Sequence, residues 1–175
     1  SEHTGSSGYR YSQYRAVNQD GQVLGFTPRV LAIDTINGSD PWVWDGNSTI
    51  PLGFTGSDYI GSAGYRQGYS FFQNESGQIT GYQSRILDVN TSNGNDAWVW
   101  NDGVTQQIGL LGGIYQGSAG YRNSSPLYQN QSNQVTGYSK RIAAVNTDLG
   151  QDTWIWNNGI TQQIGLTGGV FTDSN

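Results

Sequence analysis

Apolar residues in this chain come in short runs, closed every few positions by turn formers. Between Ser70 and Leu110 the pattern is clearest. "SFFQN" (Ser70–Asn74) ends at the turn "ESG" (Glu75–Gly77), and "QITGYQSRI" (Gln78–Ile86) follows with β-branched and aromatic residues around one interior glycine. A loop rich in Asn and Ser, "LDVNTSNGN" (Leu87–Asn95), leads to "DAWVWN" (Asp96–Asn101). The dipeptide Asp102-Gly103 then turns the chain into "VTQQIGL" (Val104–Leu110). This pattern predicts four strands joined by hairpin-like turns. No stretch carries a 3.6-residue apolar period, so almost no helix is expected. Trp98 and Trp100 lie two apart and point to one face of their strand, while Val99 points to the other. A strand apolar on both faces predicts a small sheet packed between two neighbours.

The same pattern occurs three times. Sliding the chain by 56 residues aligns 57–112 with 113–168 without a gap, at 32 of 56 identical positions. Residues 1–56 form a more divergent copy, and 169–175 begin a fourth in the same phase or form a tail. The predicted architecture is all-β: three tandem 56-residue four-stranded repeats stacked as β-propeller-like blades. A β-trefoil is the alternative, since it closes with three units, and another β-solenoid or prism is a further one. Three blades are too few for a ring of ordinary size. The shared phase of the two ends therefore points to chains that associate with themselves, by ring completion or head to tail.

Polar residues recur with the same period. Gly-Tyr-Arg appears at Tyr9-Arg10, Tyr65-Arg66 and Tyr121-Arg122, and a second arginine recurs at Arg29, Arg85 and Arg141. An aspartate precedes each tryptophan pair, at Asp40 before Trp42 and Trp44, Asp96 before Trp98 and Trp100, and Asp152 before Trp154 and Trp156. The six tryptophans are assigned to packing. The Tyr-Arg pairs are candidate glycan contacts, an aromatic platform beside bidentate donors; they equally suit blade-to-blade packing and hydrogen bonding. Asp88, Asn90 and Asp96, and likewise Asn146, Asp148 and Asp152, place oxygen ligands around a glycine as calcium loops do. Against calcium, the first copy has Ile36 where a ligand is wanted, and Asx-turns with an Asp–Arg pair give the same composition. The structural reading is preferred.

Composition narrows the function classes. The chain has 175 residues, 26 glycines, no cysteine or methionine, and a net charge of −5. Its seven arginines are scattered rather than gathered into a basic stripe, which argues against nucleic acid. No segment is apolar enough to span a membrane as a helix. His3, the single histidine, sits in the first few residues, so no histidine-based catalytic arrangement can form in the body. No catalytic residue is assigned. Paired glycosidase carboxylates are not excluded, yet polar residues in triplicate are unlike a site built once.

"NESGQITGYQSR" followed by "DAWVWNDGVTQQIGLLGG", with "EHTGSSGYRYS" (Glu2–Ser12) and "IGLTGG" (Ile164–Gly169), resembles the HAF-type extracellular repeats of exported bacterial proteins. The resemblance covers nearly the whole chain. It implies a secreted or surface-exposed, propeller-like β array with no particular activity or cofactor. Two function classes follow as expectations. One is a non-enzymatic extracellular protein acting by self-assembly. The alternative is a multivalent, lectin-like carbohydrate-binding module with one site per repeat.

Overall fold

The computed structural model describes residues 2–30, 35–87, 91–143 and 147–166. It is all-β. Among the described residues there is no α-helix, only the single 3-10 turns Ser57–Tyr59 and Gly113–Tyr115. Strands β1 (Gln13–Val17), β2 (Val23–Val30), β3 (Ile36–Trp44) and β4 (Thr49–Pro51) pair antiparallel in sequence order. So do β5 (Arg66–Gln73), β6 (Ile79–Leu87), β7 (Thr91–Asn101) and β8 (Val104–Ile108). The last four are β9 (Arg122–Gln129), β10 (Val135–Ala143), β11 (Thr147–Asn157) and β12 (Ile160–Ile164).

Two short parallel bridges tie these quartets into one open twelve-stranded sheet. Gly38 and Ser39 of β3 pair with Arg66 and Gln67 of β5; Gly94 and Asn95 of β7 pair with Arg122 and Asn123 of β9. Both bridge glycines are left-handed, at φ 94° and 85°, and both touch the neighbouring strand. A Cβ on Gly38 would lie 1.8 Å from the Arg66 carbonyl oxygen, and one on Gly94 would lie 1.7 Å from that of Arg122. Only glycine permits both the conformation and the approach.

The expected loop Leu87–Asn95 is shorter than its composition suggests. β7 already begins at Thr91, because Asn95 pairs with Ser84 and the Asn93 amide donates to the Ala119 carbonyl of the next unit at 3.1 Å. Partners supplied by the fold override the turn preference of Asn and Ser.

The quartets stack face to face, and their cores lie in the joints. Leu24, Val43 and Leu52 of the first meet Ile79, Trp98 and Trp100 of the second. On the other side of β7, Ala97, Val99 and Ile108 meet Val135, Trp154 and Trp156 of the third. Trp98 and Trp154 are fully buried, each removing up to about 250 Å2 from water, worth about 6 kcal/mol at 25 cal/mol/Å2. Each indole lies over a glycine on the adjacent strand: Trp42 over Gly25, Trp98 over Gly81, Trp154 over Gly137.

That pairing makes the interior glycine a size constraint. A Cβ on Gly81 would sit 1.9 Å from the Tyr69 carbonyl oxygen and 2.5 Å from the Trp98 ring. Gly81→Ala is expected to cost about 2 kcal/mol or more through overpacking. Gly56→Ala, at φ −71° with open space around it, should stay within about 0.5 kcal/mol of the parent. Urea midpoints of the two variants check this, and equal midpoints refute it.

Candidate functional site

The recurring aspartates are the polar centres of the joints. Asp96 is fully buried. It accepts hydrogen bonds from the Tyr59 hydroxyl at 2.7 Å, Arg85 Nη1 at 3.2 Å, and Arg122 Nε and Nη2 at 3.0 and 2.7 Å. Asp40 repeats the arrangement with Arg29 at 2.9 Å, Arg66 of the next unit, and His3 in place of the tyrosine at 3.4 Å. A backbone irregularity lies opposite the first arginine. Register shifts set the single residues Arg29, Arg85 and Arg141 opposite two residues of the paired strand, Asn37-Gly38, Asn93-Gly94 and Leu149-Gly150, so the extra residue lies in β3, β7 and β11. The bulge thus lies in the strand that also carries the carboxylate, and Arg29 and Arg85 reach Asp40 and Asp96 from across it.

The electrostatics agree with the geometry. Burial works against the Arg85 charge, but the adjacent Asp96 outweighs it and raises the guanidinium further above its ordinary value. Burial, and then the Asp96 charge, push the Tyr59 phenol up. Tyr115 is pushed up to about 12, first by burial and then by its 2.7 Å hydrogen bond to Asp152.

The sequence-derived candidates fall into place unevenly. Arg66 and Arg122 are engaged with carboxylates of the preceding unit. The Tyr65 hydroxyl donates to Gln67 Oε1 at 3.2 Å, and the Tyr121 hydroxyl accepts from Asn123 Nδ2 at 3.3 Å. Tyr9 and Arg10 remain on the surface. Of the calcium candidates, Asp88, Asn90 and Asn146 lie outside the described residues. Asp96 and Asp152 are held by Tyr and Arg side chains as above, and Asp148 pairs with Lys140 at 2.6 Å. Among the described residues no three acidic or histidine side chains gather as metal ligands.

The joint between the second and third units holds a cleft that these candidates do not include. It has a volume of about 550 Å3 and lies where the β7–β8, β9–β10 and β11–β12 turns converge. Gln78, Asn101, Asp102, Gln106, Asn133 and Trp156 line it. Two of its buried polar atoms, Gln78 Oε1 and Trp156 Nε1, have no hydrogen-bond partner among the described residues. The cleft therefore offers an acceptor, an indole donor, several amides and one carboxylate beside an apolar ring. At the first joint the corresponding amide, Gln22, is already committed, accepting from Asn18 at 2.9 Å and from Gln73 at 3.5 Å. The recurrence of Gln22, Gln78 and Gln134 was a visible signal for this site, but the sequence attached no role to it.

The contrast between buried and open carboxylates is testable. Asp96→Asn leaves two arginines facing one neutral amide and should cost about 3–5 kcal/mol. Asp152→Asn leaves the Tyr115 hydroxyl an amide oxygen as acceptor and otherwise affects an arginine 4.0 Å away and 43% exposed, so it should cost about 1 kcal/mol or less. Chemical denaturation of the two proteins decides it, and similar losses would refute the ranking. The raised phenols predict alkaline behaviour too. Tyr115 loses its proton at about pH 10 when unfolded and about 12 when folded, so its contribution is complete below pH 10 and lost from 10 to 12. Absorbance titration of the folded chain should show this late-ionising class, which Tyr115→Phe diminishes.

No protein-family model and no curated protein matches the chain. Among solved structures, the chain is similar to a fucose lectin from Kordia zhangzhouensis in complex with methyl-fucoside. The TM-score is 0.42 and the identity 14%, over 90% of this chain and 100% of that one.

Proposed function

We propose that this chain is a non-enzymatic, exported carbohydrate-binding protein built of propeller-like blades, with its glycan site in the cleft between the second and third units. The blade reading is supported by the face-to-face stacking of the four-stranded units around Trp98 and Trp154. One observation carries the functional reading: unpartnered Gln78 Oε1 and Trp156 Nε1 line the same amide-rich cleft. A sugar ring presents hydroxyls that both donate and accept, and its C–H faces are apolar. Amide side chains supply donors and acceptors together, a carboxylate adds a strong acceptor, and the indole adds a donor on an apolar ring. The cleft carries one carboxylate, Asp102, whereas glycoside hydrolysis ordinarily needs two across the scissile bond. Binding without turnover is the chemistry such a lining supports.

A glycan array probed with the labelled protein, followed by calorimetric titration of the best hit, tests the reading. Gln106→Ala and Asn101→Ala remove exposed amides without touching the core, and each should weaken binding about tenfold. No glycan above background on folded protein would sink the proposal. So would a hit whose affinity neither variant changes.

A further inference from the structure

The two ends of the stack expose the two halves of a joint. On the first unit Val23, Trp42 and Trp44 line an open cleft of about 740 Å3. Their counterparts at the internal joints, Ile79, Trp98 and Trp100, then Val135, Trp154 and Trp156, are all buried. On the third unit Ile155, Ile164 and Leu166 hold the positions that Val43, Leu52 and Phe54 hold against the second unit. There Leu166 is 73% exposed and Ile164 is 37% exposed, whereas Leu52 is 1% exposed.

We infer that a second copy of this chain docks head to tail, its Val23–Trp42–Trp44 face on the Ile155–Ile164–Leu166 face of the first. Two further observations specify the same contact. Gly150 continues the series of Gly38 and Gly94, left-handed at φ 97°, yet an added Cβ would meet nothing within 4 Å, where the other two meet an arginine backbone. The strand that fills this place at the internal joints begins with Arg66 or Arg122, whose counterpart is Arg10. Charge is complementary as well. Asp152 lacks the second arginine that Asp40 and Asp96 receive from the following unit, and Arg10 is exposed with no ion pair among the described residues. Docking places Arg10 on the partner's Asp152 and continues the apolar joint above it. The contact is heterologous, so two copies that make it twice close a ring, and copies that do not close form a ladder.

Sedimentation and light scattering of the full chain test this independently of any glycan. The parent protein should run as a multiple of its 19.0 kDa mass, either a dimer or a ladder. Trp44→Glu and Leu166→Asp, on opposite faces, should each reduce association, with circular dichroism unchanged. Mixed together they should re-form one heterodimeric joint, since each retains the face that the other has lost. Arg10→Ala, remote from the apolar contact, should weaken association about tenfold. A parent that stays monomeric at about 100 μM overturns the inference. An assembly that Leu166→Asp leaves intact, or a mixture that does not recombine, overturns it equally.

Discussion

A carboxylate with no access to water sets the terms for the joints of this fold. Asp96 has zero exposure, and a buried acceptor of that kind is tolerated only when its lone pairs are filled. Four hydrogen bonds fill them, and each fixes a different part of the chain. Arg85 of β6 arrives opposite a bulge in β7, where Asn93 and Gly94 together face that one residue. Arg122 arrives from the next unit, so β9 must run parallel to β7 at close range, which requires the left-handed Gly94. Tyr59 arrives from the connector, which explains the single 3-10 turn there. The apolar stacking of Trp98 and Val99 supplies most of the burial, but it is non-directional. The aspartate gives the stack its register.

That division explains what could be read from the chain. The Trp-Val-Trp alternation and the 56-residue period lead directly to strands apolar on both faces, and the joints at Leu24–Trp98 and Val99–Trp154 match it. Asp96 was legible as a recurring polar position, and an Asp–Arg pair as a reading of it, but not which arginines would meet it. Arg122 is 26 residues away in the following unit, and Arg85 lies opposite a bulge in the strand that carries the aspartate. Both arginines recur with the period of the aspartate, but the period does not say which of them reach it. The stretch Thr91–Asn95 misled for a similar reason: its composition reports local turn preference, while its strand conformation depends on Ser84 and Ala119 across space. The glycan candidates Arg66 and Arg122 had suitable chemistry, and their guanidinium groups are engaged at the joints instead.

Near-identical units do not imply identical sites. His3, Tyr59 and Tyr115 occupy one position in the repeat and all face the same recurring carboxylate, yet among the described residues Asp40 and Asp96 each meet two arginines and Asp152 one. The amide position shows the consequence. Gln22 is tied to Asn18 and Gln73, and the corresponding space also receives Gly77, whose added Cβ would lie 2.7 Å from Gln22 Oε1. At the second joint Asn133 stands where Gly77 does, its side chain held by Asn74 and Ser76, and Gln78 Oε1 is left unpartnered beside Trp156. The lining of the cleft is a property of a joint rather than of a repeat, because its walls come from two successive units. Divergence between units therefore acts twice, once on each side of the residue that changed.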